Sequence, residues 1–151
     1  MVEASKRILI DTVREWAKFT ADKEKFTAIA HDIAELARKC VQESIAFLKT
    51  QNIEAEADSL ESLSILHAAV HIEPVIEETF PTVKASVMMK CGGASRAIVI
   101  NPNSTISAGG NPFAYELLKK AIPPAFETNA ADFVRDAFLN VARTGGKEQA
   151  L

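Results

Sequence analysis

Midway along the chain the spacing of apolar residues changes from a helical period to strict alternation, and that change limits the architectures open to it. In TVKASVMMK (82–90), Val83, Ala85, Val87 and Met89 share one side, with Lys84, Ser86, Met88 and Lys90 on the other. This is the pattern of a half-buried strand. A second apolar run, RAIVI, follows CGGA, and Gly92-Gly93 suits a two-residue primed turn because both positions take positive φ without steric cost. Such a turn pairs Cys91 with Ala94, Val87 with Ile98 and Ala85 with Ile100, so that one face of both strands is apolar. The spacing therefore predicts a β-hairpin over about 82–101. Two strands alone are marginal in water and expose two edges. Candidates to cover them are Asn52–Ala57, the loop around Thr105-Ile106-Ser107, or the same hairpin of a second chain, and the last is the expectation adopted here.

The segments on either side read as helices. Leu9, Val13, Trp16, Ala17 and Thr20 recur at helical spacing and predict a helix from about Ser5 to Phe19 that buries one side. Thr20-Ala21-Asp22 has the chemistry of a capping step. Beyond it Phe26, Ile29, Ile33, Leu36, Cys40, Ser44, Phe47 and Leu48 hold one stripe, as in a bundle helix of about 40 Å. Asp58 followed by Glu61 resembles a capping box and starts a third helix through Leu60, Leu63, Leu66 and Val70. Ile65 and Ile72 make that helix apolar on two faces, and Pro74 ends it.

Downstream of the hairpin, Asn111-Pro112 reads as cap and first residue of a helix through Phe113, Leu117 and Leu118, stopped by Pro123-Pro124. Asn129 caps a final helix through Phe133, Ala137, Phe138 and Val141, closed by Gly145. The expected fold is a mostly helical α+β domain: three N-terminal helices, the central β-hairpin and two C-terminal helices. One globular domain is expected over 1–144, with 145–151 as a flexible tail.

At 151 residues, 48% hydrophobic and 25% charged, the chain has the balance of a soluble globular domain with one core. Its apolar runs fall far short of the roughly 18 residues of a membrane span, and its N-terminus mixes charges into apolar residues where a secretory signal is uninterrupted. A cytoplasmic protein is expected, with Cys40 and Cys91 reduced. With 17 basic against 20 acidic side chains the net charge is −3, so no global positive field favours a polyanion. Nucleic-acid binding is disfavoured, since Lys6, Arg7, Arg14, Lys18, Lys23 and Lys25 are interleaved with acidic residues. Between Thr50 and Val83 there is no Lys or Arg, while Glu54, Glu56, Asp58, Glu61, Glu73, Glu77 and Glu78 all fall there. The ordinary reading is a solvated acidic face; the sharper one is a docking surface at 54–78 for a basic protein partner.

Three constellations bear on chemistry. In HAAVH, His67 and His71 stand four apart, which on a helix lets two imidazoles reach one metal ion, with Glu73 as a third ligand and Glu77, His31 or Cys91 as others. No Glu follows the first His, as a zinc protease requires, and no cofactor is expected. Set in an acidic segment, the pair is alternatively a pH-responsive one. The loop NPNSTISAGGNP (101–112) enters its expected helix at the N-terminus, where Ser107, Gly109, Gly110 and Asn111, with Arg96 nearby, form a candidate anion site. Its glycines match neither a P-loop nor a dinucleotide fingerprint. Cys91 as a nucleophile lacks any placed base. The expectation is a non-enzymatic interaction or scaffold domain that self-associates; the alternative is a small-ligand protein or enzyme using the 101–112 loop or the histidine pair.

Overall fold

The computed structural model describes residues 2–145; the tail at 146–151 lies outside them. One helix, α1 (Glu3–Thr50), runs through the whole N-terminal third, where two helices were expected. At 1.5 Å per residue it is about 72 Å long. The expected break at Thr20–Asp22 is absent, because nothing in Thr-Ala-Asp obstructs a helix. Thr20 donates its hydroxyl back to the Ala17 carbonyl at 3.0 Å instead of capping a new start.

The expected third helix is absent too. Residues 51–70 form turns and a small antiparallel sheet of β1 (Ala55–Glu56), β2 (Ser64–Ile65) and β3 (Ala68–Ala69). Leu63 and Ile65 are buried two residues apart, and Leu66 takes φ 57°, which ends any helical run. The supposed capping box is a turn in which the Glu61 amide donates to the Ser59 hydroxyl at 3.2 Å. Gln42 of α1 donates to the Ala57 carbonyl at 2.8 Å and holds this small sheet against the helix.

The hairpin is the centre of a larger sheet. Strands β4 (His71–Thr79), β5 (Thr82–Cys91), β6 (Ala94–Ile100), β7 (Thr105–Ala108) and β8 (Asn111–Ala114) follow one another as an antiparallel meander in the order β4-β5-β6-β7-β8. The β5–β6 register is the expected one, with Cys91 opposite Ala94, Val87 opposite Ile98 and Ala85 opposite Ile100. Gly92 and Gly93 hold φ of 55° and 86° at the turn, the values of a primed turn. Its two edges are sealed by the chain itself: β7, from the loop around Thr105–Ser107, covers one, and β4 covers the other. The expectation that a second chain's hairpin does this is overturned.

Pro74 is not a helix stop; it lies in β4, an edge strand, where a residue without an amide proton is tolerated. Asn111-Pro112 does not start a helix either. Gly109 and Gly110, at φ 60° and 82°, make a second two-glycine hairpin that returns the chain as β8. Only one turn, α2 (Tyr115–Leu118), precedes a single C-terminal helix, α3 (Pro124–Thr144). Pro124 begins this helix as its first residue, a place that needs no amide proton, so Asn129 is an interior residue and not its cap. Gly145 closes it in the left-handed conformation, as expected.

The result is two layers rather than a helical bundle carrying a hairpin. Ala85, Val87, Met89, Ile98, Ile100 and Ile106 face inward from the sheet and meet Ile29, Ile33, Ala37 and Val41 of α1 and Phe126, Phe133, Ala137 and Val141 of α3. Both helices lie on this face. Across the other face Val75, Ser86, Val99, Ser107 and Pro112 stand side by side on the five strands, flanked by Glu73, Glu77, Lys84 and Lys90. That mixture is ordinary for an antiparallel sheet with one solvated side.

Candidate functional site

The residues named from the sequence for chemistry are dispersed by this fold. His67 lies exposed in the turn between β2 and β3, and His71 and Glu73 are exposed on the solvated side of β4. His71 and Glu73 are therefore brought to one strand face, but the helix that was to align His67 with them does not exist. His31 is exposed on α1. Among the described residues no group of three His, Cys, Asp or Glu side chains is placed to hold a metal ion. Cys91 is buried beside the β5–β6 turn, where its thiol lies 3.6 Å from the Ala68 carbonyl.

The anion-site residues are partly brought together, around Asn129. Arg96 donates to Asp136 at 2.9 Å and to the Asn129 Oδ1 at 3.3 Å, tying β6 to α3. A Cβ on Gly109 would stand 3.0 Å from that same Asn129 oxygen, so the second glycine turn packs against the helix. Ser107 accepts from the Asn101 side-chain amide at 2.9 Å on the solvated face, while Gly110 and Asn111 are exposed at the turn. The guanidinium is engaged by protein partners, and its hydrogen bond holds the Asp136 carboxyl below the usual carboxylate range, against an opposing effect of burial.

The acidic segment is not one face. Glu78 pairs with Lys23 at 2.6 Å and Asp58 with Lys49 at 3.6 Å, while Glu73 and Glu77 lie on β4. A polar hollow near α2 holds Tyr115, which donates to Asp32 and is pushed up to about 12 by burial, then by that bond.

The prominent surfaces are apolar. From Glu3 to Lys18 every residue of α1 is exposed, and Phe19 is the first buried one. This arm projects by about 24 Å. Leu9, Val13 and Trp16 are 48%, 64% and 56% exposed, although their spacing makes a continuous stripe. Its base is fixed by an aromatic cluster in which Phe80, at the β4–β5 turn, lies 5.7 Å from Trp16 and 5.2 Å from Phe19. The expectation that the first helical stripe is buried within the domain fails here.

A signal for this was present in the sequence. Continued along the helix, the Leu9-Val13-Trp16 stripe runs into Thr20 and Lys23, whereas the buried stripe through Phe26, Ala30, Ile33 and Ala37 lies about 90° around the helix from it. One straight helix cannot turn both stripes to the same sheet.

The second apolar surface is a groove of about 590 Å³ between the last third of α1 and the first two-thirds of α3. Phe47, 63% exposed, and Phe138 stand on its walls, and Cys40 lies buried at its floor. Burial pushes the Cys40 thiol up to about 11, and Glu127 and Glu43 at the rim add to the shift. The third charged group there, Arg135, is held by Asp132 at 3.2 Å and Asp136 at 3.1 Å. The groove is apolar with an acidic rim.

No protein family, curated protein or solved structure matches this chain. Among the described residues no helix is long and apolar enough to cross a membrane.

Proposed function

We propose that this protein is a non-enzymatic interaction domain that self-associates, with the projecting third of α1 as its adhesive element. The observation that supports this is the exposed stripe of Leu9, Val13 and Trp16 on a stretch of helix with no core of its own. Burying a Leu or Val side chain is worth about 1.5–3 kcal/mol, so covering this stripe supplies a driving force that the isolated chain leaves unused. The sheet edges are poor alternatives: β4 carries Pro74 with Glu73, Glu77 and Glu78, and β8 is short and carries Pro112. Prolines and charges on an edge oppose strand addition. A homo-oligomer is the simplest outcome, and buried thiols at Cys40 and Cys91 suit a reducing compartment such as the cytoplasm.

Sedimentation equilibrium over a wide concentration range tests the reading. The wild-type mass is expected to rise above 16.4 kDa with concentration. Leu9→Glu with Val13→Glu is expected to weaken association by roughly a hundredfold, about 2.7 kcal/mol, without lowering the melting temperature. A wild-type chain that stays monomeric throughout removes the proposal.

A further inference from the structure

The arm beyond its aromatic base and the groove are both exposed apolar surfaces of the helical layer, and they complement each other. Along α3 the groove spans Pro124 to Phe138, about 21 Å of helix, which is long enough to take the stripe from Leu9 to Trp16, about 10 Å of helix. The apolar face of the arm at Leu9, Ile10 and Val13 is bordered by two basic side chains, Lys6 and Arg14, while the groove rim presents Glu43 and Glu127, neither of them in an ion pair among the described residues. Within the arm, Lys6–Glu3 and Arg14–Asp11 are long contacts of 3.9 Å between exposed groups, which leaves the basic ends available for stronger partners.

The arm cannot reach its own groove. Val13 and Ser44 lie on one uninterrupted helix, about 46 Å apart along its axis. Any arm in a groove therefore belongs to another molecule. Resting on the self-association proposed above, we infer that the arm of a second copy of this chain lies in the groove between α1 and α3, with Leu9, Val13 and Trp16 against Phe47 and Phe138. Lys6 and Arg14, which border that face, then lie toward Glu43 and Glu127. This is helix-in-groove recognition with a heterologous contact: each copy offers one arm and one groove, so assembly continues as a chain unless the rotation closes a ring.

Mixing two full-length variants tests the pairing. L9E/V13E spoils the arm and leaves the groove intact; F47K/A131K places positive charge on exposed groove positions and leaves the arm intact. Circular dichroism and melting temperature establish that both fold. Light scattering is expected to show each variant alone as a monomer of 16.4 kDa, and an equimolar mixture as a dimer of twice that mass, since one intact arm and one intact groove remain per pair. If the groove variant associates like wild type while the arm variant does not, arms pair with arms; the inference falls and the proposed function stands. A mixture that stays monomeric also overturns the inference. If the arm variant associates as strongly as wild type, the proposed function falls with it.

Discussion

Arg96 and two glycines show how single residues hold this sheet to its helix. The Arg96 guanidinium, half-buried, bridges the Asn129 carboxamide and the Asp136 carboxylate across the β6–α3 contact. Because Asp136 is partly exposed, its share is reduced by solvent screening, and Arg96→Ala is expected to cost about 1 kcal/mol in urea denaturation. The folded-state pKa of Asp136 is lowered, so this contribution is fully present above the ordinary carboxylate value and is lost as pH falls through the lowered one. The stability gap between wild type and Asp136→Asn should therefore narrow only under acid conditions; a gap that closes near neutrality would contradict the assignment. At Gly92 an added Cβ would stand 2.2 Å from the Val141 Cγ2, in addition to the strain of a φ of 55°. Gly110 carries similar φ strain, at 82°, with nothing within 4 Å. Gly92→Ala is expected to cost about 3 kcal/mol and Gly110→Ala about 1 kcal/mol, measured as shifts in denaturation midpoint. Both glycine pairs were visible in the sequence, but only Gly92-Gly93 is flanked by clear alternation on both sides. Gly109-Gly110 is followed by Asn-Pro, which equally suits a helix start, and so β8 was hidden.

At the scale of elements, α1 has two parts with different duties. Its last two-thirds supply Phe26, Ile29, Ile33, Ala37, Val41 and Ile45 to the core, whereas residues 3–18 supply nothing buried. Removing residues 2–15 should then leave the melting temperature of the body within a few degrees of wild type while abolishing association, both readable from calorimetry and light scattering. A large loss of stability would show instead that the aromatic base at Trp16, Phe19 and Phe80 depends on the whole arm. The helical character of 3–50 was legible throughout, since no Gly or Pro interrupts it. The break was misplaced because Thr and Asp serve equally as caps and as tolerated interior residues. The reverse error fell on 58–73. Leu60, Leu63, Leu66 and Val70 match a helical period by count, yet Leu63, Ile65, Ala68 and Ile72 are the residues that the core takes. Arg38 of α1 donates to the Ile72 carbonyl at 2.7 Å and helps to fix β4 at its start.

For the whole molecule, association should depend on salt. If the arm of one copy docks in the groove of another, the attraction of Lys6 and Arg14 for Glu43 and Glu127 is screened once the Debye length falls to a few ångströms, so raising salt from about 0.05 to 0.5 M is expected to weaken association severalfold by sedimentation. Strengthening on added salt would point to a purely apolar contact. What the sequence by itself determined is local: the β5–β6 pairing and its register, because a two-glycine turn and a two-residue period admit one alignment with a common apolar face, and the stop at Gly145, because a left-handed residue ends a helix wherever it stands. What only the tertiary structure decided is which apolar stripes are covered. Strand β4, the small sheet and the bare arm all depend on whether α1 and α3 reach a given stripe. Burial is set by elements distant along the chain, and no local period records it.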